Sequence, residues 1–263
     1  MNIKSLKGVG ILLKFIDEKY IDSTIENGFF FNTLDTFKKS DGLTEEQADS
    51  DEGCRVDFNL PKSAIEICNK NHKKIGELSR DEISNWKLKK DYGFTLKIPI
   101  CCFTILRFPH DFEFVAREKN TFEYKINTKV KAKLDGISGG RPFIYSNLPS
   151  VLEQLSKEIK NGEKIMYGKV EYYKSKGINI DEEQLDKNPY KVIFLKNERY
   201  NNQKEFRVAL YEKKESSFYK IPEVEWGKSN DINLDRLRMY IVKYSNEKIT
   251  IQLADKHEEI IYC

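Results

Sequence analysis

The chain has 263 residues, 39% of them hydrophobic and 33% charged, with 45 basic side chains against 42 acidic ones for a formal net charge of +3. A total so nearly balanced does not mark a nucleic-acid binder, and 12% aromatic residues exclude the aromatic-poor composition of a disordered chain. The length suits one large domain or two small ones, with enough chain to bury a substantial core.

The first apolar run, VGILLKFI, is broken by Lys14 and followed by charge, with no small-residue cleavage site, so it does not read as a signal peptide. No run approaches the roughly 20 apolar residues that a helix needs to cross a bilayer. The 5 cysteines are odd in number and lack CxxC spacing, and Cys101 and Cys102 are neighbours in an apolar run where reduced core thiols belong. These features lead to the expectation of a cytoplasmic protein with no membrane partner. Nothing in the sequence specifies an oligomeric state.

In chain order, residues 9–16 read as a first strand, and DEKYIDSTIEN as a short helix closed by Asn27-Gly28. FFFNTLDTFKK follows as a strand running into a turn or short helix, with its three consecutive rings expected to be buried on both sides. Residues 40–56 are acidic and Gly-punctuated, as in a loop. A helix is expected over Arg80–Lys90 behind Ser79, then strands through GFTLKIPICCFTIL and through FEFVAREKNTFEYKINTKVKAKL.

DGISGGRP reads as a Gly-rich turn, and residues 149–161 as a helix with Val151, Leu152, Leu155 and Ile159 on one stripe. KIMYGKVEYY, KVIFLKN, KEFRVALY, RMYIVKY and KITIQLA complete the strands. The sum is an α+β protein whose core is a β-rich mixed or antiparallel sheet, with helices concentrated in the N-terminal half. A single domain over 1–263 is expected, with residues 60–95 as the place for an insertion or lobe boundary.

No GxGxxG, Walker, HExxH or GxSxG fingerprint occurs, and the 3 histidines are isolated, so no structural zinc site is expected. Three clusters remain. Lys14 among apolar residues is either an outward strand residue or a point charge aimed into a cleft. Phe31, Asn32 and Thr33 close a strand where an amide and a hydroxyl can bond a ligand beside a ring. Asp51, Glu52 and Arg55 follow, as a solvated loop or as carboxylates that hold a metal or pair with the arginine. In YNNQKEFRVAL, Gln203 and Glu205 stand at the mouth of a strand, with Lys196 and Arg207 as ion-pair partners for Glu205. A salt bridge and a catalytic carboxylate are both open there.

The segments Cys102-Phe103-Thr104, Val170-Glu171-Tyr172 and Lys196 with Gln203, Glu205, Phe206 and Arg207 resemble the shared strands of a group of uncharacterised bacterial proteins. That resemblance implies a phage-defence or toxin-like role. The order Lys14, Asn32/Thr33 and Gln203-x-Glu205 is also similar to that of ADP-ribosyltransferases, including toxins that modify DNA. In that fold an early strand carries a polar NAD anchor, a helix follows, a further strand brings small polar residues, and a late strand begins with the catalytic glutamate.

The resemblance implies NAD as cofactor, Glu205 as the catalytic carboxylate and Gln203 as the residue that orients the acceptor. It places Lys14, Asn32 and Thr33 at the NAD and Phe31 or Tyr200 in a stack on nicotinamide. A protein or nucleic acid would be the acceptor. The family anchor is Arg or His, where this chain has Lys14, and its Ser-Thr-Ser is replaced by Phe31-Asn32-Thr33. Two other readings compete: a metal-dependent nuclease using Asp49, Asp51, Glu52 and Glu205 with Lys196, and a non-catalytic sensor or nucleic-acid-binding module.

Overall fold

The computed structural model describes residues 9–38, 52–57, 65–79, 88–173, 185, 187–229, 234–243, 249–255 and 261–262. Two compact units emerge: Met1–Thr33 with Ile98–Val170 and Asn201–Cys263, and Leu34–Lys97 with Glu171–Tyr200.

Along the chain the elements are β1 (Gly10–Phe15), α1 (Ile21–Asn27), β2 (Phe29–Thr33), α2 (Leu34–Lys38), β3 (Cys54–Asp57), β4 (Ile65–Cys68), β5 (Lys74–Leu78) and β6 (Leu88–Asp91). They continue with β7 (Pro99–Arg107), β8 (Phe112–Glu118), β9 (Thr121–Ile126), α3 (Thr128–Ser138), β10 (Phe143–Asn147), α4 (Leu148–Lys160) and β11 (Ile165–Lys169). The rest are β12 (Glu171–Tyr173), β13 (Leu195–Asn197), β14 (Glu205–Leu210), β15 (Ser217–Tyr219), β16 (Gly227–Ser229), β17 (Leu237–Lys243), β18 (Ile249–Asp255) and β19 (Ile261–Tyr262). The fold is α+β, with antiparallel pairing throughout the larger sheets.

In the first unit an 8-stranded sheet runs β11-β14-β7-β1-β10-β16, with β2 on β7 and β15 on β2. Strand β7 is its axis. One long side pairs with β14, while the other pairs with β1 near its C-terminal end and with β2 near Pro99. A 5-stranded sheet, β19-β18-β17-β9-β8, forms the second layer.

Alternation along β1 sends Ile11 and Leu13 into a core with Leu106, Tyr145, Phe112, Ile126, Met239 and Leu134, which joins one face of the large sheet to the smaller sheet and α3. Leu12 faces the opposite way, into a core with Phe103, Ile144, Phe206, Val208 and residues Leu148, Val151 and Leu155 of α4. Each such fully buried aliphatic or aromatic side chain contributes about 1.5–3 kcal/mol over its exposed state. In the second unit β3 pairs with β6, β4 with β5 and β12 with β13, and Tyr92, Tyr173, Leu185, Val192 and Leu195 form a small core.

Local chemistry explains the ends of several elements. Gly28 closes α1 at φ 99°, a conformation closed to side chains, and donates its N–H to the Thr24 carbonyl at 3.0 Å. Asn147 caps α4, its Oδ1 accepting from the Ser150 N–H at 2.8 Å, with Pro149 in the first turn. Gly227 lies opposite Tyr145 in the register, and a Cβ there would overlap the Tyr145 ring.

Several expectations are corrected. Thr128–Ser138 is helix, where strand was expected through Leu134 and a Gly-rich turn from Asp135: Val130, Ala132 and Leu134 alternate, yet Val130, Leu134 and Ile137 also recur at helical spacing, and the Asn127 side chain accepts from Lys129 N–H to cap the turn. Gly93–Lys97 and Pro189–Phe194 are tight 3-10 turns, where strand was expected for Gly93–Lys97 and from Lys191 on. Leu88–Lys90, expected to end a helix, are strand paired with Val56, Arg55 and neighbours of β3, so Cys54–Val56 are not loop either. Residues 80–87 of that expected helix lie outside the described residues.

The rings of β2 are not buried on both sides. Phe29 and Phe31 are, but Phe30 is 48% exposed and lies 5.2 Å from Phe218, itself 64% exposed. On α4 the buried positions are Leu148, Val151, Gln154 and Leu155, and Ile159 is exposed.

Candidate functional site

Glu205 is the first residue of β14, entered from a 3-10 turn over Glu198–Gln203 and from Lys204, which takes a left-handed φ of 46°. The register sets Glu205 against Thr104 and Arg207 against Cys102. Paired residues of antiparallel strands share a face, so Glu205, Arg207, Cys102 and Thr104 project from one side of the sheet. The next strand continues the row, since Thr104 is also opposite Leu13 of β1.

Glu205 and Arg207 are 5% and 1% exposed, and Arg207 Nε donates to Glu205 Oε1 at 2.6 Å. Burial strengthens this charge-assisted bond and makes each charge depend on its partner. Cys102 lies beside the pair. Burial pushes its thiol well above the ordinary value, the Glu205 charge pushes it further, and Arg207 pulls it back. Both the burial and the Glu205 charge thus favour the protonated thiol over the thiolate.

Lys14 projects from the other side. As the neighbour of Leu13 it lies opposite to the Thr104 and Glu205 face. Its ammonium donates to the Cys102 carbonyl at 3.0 Å and stands 5.5 Å from the centre of the Phe103 ring. Phe31, expected to stack on a ligand, is fully buried in the α4-side core, edge-on to Tyr219 at 5.8 Å.

Asn32 is opposite Ile100, so it belongs to the Glu205 face, four residues down β7 from Thr104. That is about 13 Å at the strand rise. Its Oδ1 accepts from Ser216 Oγ at 2.9 Å and from the Thr33 N–H at 3.1 Å. Thr33 and Phe31 alternate to the opposite side. Gln203 is half-buried at the approach to β14.

The remaining candidates are in the second unit. Lys196 and Glu52 are both buried and 3.8 Å apart. Tyr200 is buried with Lys196 Nζ 4.7 Å and the Arg199 guanidinium 4.6 Å from its ring centre. Those cations occupy the ring that was expected to stack on nicotinamide. Arg55 is a backbone partner of Lys90 in β3. Asp49 and Asp51 lie outside the described residues. Among the described residues no group of three or more His, Cys, Asp or Glu side chains is placed to hold a metal ion, and no helix is long and apolar enough to cross a membrane.

Sequence reasoning placed Thr33 and Asn32 beside the glutamate and missed Thr104. The signal lay in Cys102-Phe103-Thr104, whose alternation puts two small polar side chains on one face of a strand. Which strand lies next to β14 is a matter of long-range pairing, and spacing along the chain does not encode it. The site thus belongs to an α+β protein with a buried carboxylate–guanidinium pair beside a threonine and a thiol. A scan of protein-family models returns no match to the chain, and searches of curated proteins and of solved structures return none either.

Proposed function

We propose that the protein is an NAD-dependent ADP-ribosyltransferase-like enzyme acting in bacterial phage defence or as a toxin, with Glu205 as its catalytic carboxylate. The observation that carries this reading is the position of Glu205 at the start of β14, side by side with Thr104 of β7, with β1 as the next strand beyond. A carboxylate and a hydroxyl side by side on one face are groups suited to hydrogen-bond ribose hydroxyls, with the Asn32 amide about 13 Å further along the same face for a more distant part of the dinucleotide.

NAD supplies an activated glycosidic bond, which breaks as nicotinamide departs with the bonding electrons while the acceptor adds to the ribose carbon and loses a proton. Glu205 places preorganised negative charge beside the positive charge that develops on the ribose. Arg207 holds that carboxylate in one orientation, and Gln203, at the approach to β14, orients the acceptor. Lys14 and Phe31 have no cofactor contact in this reading, because one projects from the opposite side of the sheet and the other fills the core. Thr104 takes the place the sequence suggested for Thr33.

The test is incubation with NAD labelled on the adenylate and a bacterial lysate, comparing wild type with E205Q of verified fold. Nicotinamide release and a labelled protein or nucleic acid, both lost in E205Q, are the expected result. Equal turnover by E205Q, or none by wild type, overturns the reading.

A further inference from the structure

Beside the start of β14, three basic side chains gather around a single carboxylate. Arg107 ends β7, Lys169 ends β11, and Lys204 immediately precedes β14. These strands are adjacent in the order β11-β14-β7. The register pairs Lys169 with Phe206 and Phe206 with Phe103, so Lys169 and Arg107 share one face and one end of the sheet, opposite to the face that carries Glu205, and Lys204, just outside β14, is held at that end by its bond to Asp111.

Asp111, in the turn after β7, is the carboxylate. It is buried and accepts from Lys204 Nζ at 2.6 Å and from the Arg107 backbone N–H at 2.8 Å. It thus fixes Lys204, which adopts the left-handed φ of 46° that ordinary side chains avoid. Arg107 and Lys169 are exposed, and neither side chain forms an ion pair among the described residues. Three cations and one carboxylate leave a local charge of about +2, held where strand ends fix the backbone.

We propose that Arg107, Lys169 and Lys204 form a binding site for a dianionic phosphate group, as carried by a phosphomonoester. Arg107 supplies a planar fork for two phosphate oxygens, and the two ammonium groups add point charges. Asp111 orients Lys204 and accepts no bond from the ligand. A phosphate dianion neutralises the excess charge, which a phosphodiester does only by half. The cations act on one another: partial desolvation lowers the Lys169 ammonium pKa, and the charges of Arg107 and then Lys204 lower it further, partly offset by Asp111. The proposal is independent of the activity assigned to Glu205.

The test is calorimetric titration of the full chain at low ionic strength with inorganic phosphate, 5′-AMP and the dinucleoside monophosphate ApA. Chloride at matched ionic strength serves as the control. Wild type binds phosphate and AMP, ApA binds at least about tenfold more weakly, and R107Q/K169Q loses at least about tenfold in phosphate affinity. In parallel, the NMR titration of a 13C-methylated Lys169 moves to higher pH when phosphate is added. Binding undiminished in R107Q/K169Q, or no binding beyond the chloride control, overturns the site. Equal binding of ApA overturns the phosphomonoester assignment. Both replaced side chains are exposed, so the variant retains the fold, which far-UV circular dichroism checks.

Discussion

Arg207 Nε reaches Glu205 Oε1 at 2.6 Å, from a position two residues along the same face of β14, and both side chains are buried. A pair so placed is a structural element of the sheet as well as a chemical one. Alternation makes the two side chains neighbours on one face, and both are buried there. Removal of either partner leaves the other charge buried, which is the costly outcome.

Glu205→Ala and Arg207→Ala should each therefore destabilise the protein by about 3–5 kcal/mol. The double substitution should cost less than the sum of the two, with a coupling of about 1–3 kcal/mol. Urea unfolding of the four proteins measures both quantities. Additive losses would show that the two charges do not depend on one another. The same reasoning is why E205Q, which keeps the shape and a hydrogen-bond acceptor, is the proper variant for the activity assay.

Asp111 holds a backbone N–H and an ammonium in one turn. Asp111→Ala removes both bonds and should cost about 3–6 kcal/mol, at about 1.5–3 kcal/mol for each hydrogen bond to a charged group. Chemical unfolding measures the loss. An effect below about 0.5 kcal/mol, the range of ordinary surface substitutions, would mean that the turn does not rely on the carboxylate.

Gly227 is needed because Tyr145 fills the space its Cβ would take. Gly227→Ala should destabilise by about 1–3 kcal/mol through overpacking, and Tyr145→Leu in the same chain should recover part of that by making room. A thermal melt of the single and double variants checks this. No recovery in the double variant would locate the cost elsewhere than the ring.

The cysteines should divide by burial. In a chain with Cys54 and Cys263 replaced by serine, the exposed Cys68 should react promptly with a maleimide, the half-buried Cys102 more slowly, and the buried Cys101 only as the protein unfolds. Burial raises the Cys101 thiol pKa, with Lys14 working against it, and raises that of Cys102 further. The folded protein then keeps protons that the unfolded chain has lost, from the ordinary value of 9.0 upward. Their contribution to stability is complete below that pH and declines as pH rises above it. The C101A/C102A variant should show a shallower alkaline loss in urea titrations, and an unchanged slope would contradict the shifts.

Removing the Asn147 cap is a milder test of local structure. Asn147→Ala should lower stability by about 1 kcal/mol, because the Ser150 N–H loses its acceptor at the start of α4. Asn147→Asp should recover most of the loss, and its failure to do so would show that the cap is not what the asparagine provides.

Much of this molecule is legible along the chain because it is local. Alternation at Glu205–Leu210 defines a strand beginning at the glutamate, Asn27-Gly28 ends a helix, and Asn161-Gly162 follows another. Charge balance and the apolar runs establish an ordered chain with material for an α+β core. Ambiguity enters where one segment satisfies two periods, as at Thr128–Ser138, which alternates like a strand and folds as a helix once Leu134 has a core to enter.

Tertiary structure alone decided which side chains meet. A shift of one residue in strand pairing moves a side chain to the other face, and pairing between residues a hundred positions apart leaves no trace in local spacing. That is why Lys14 and Glu205, in the expected order along the chain, project from opposite faces, while Thr104 stands directly beside the glutamate. The same register carries Arg107, Lys169 and Lys204, far apart in sequence, to one end of one sheet.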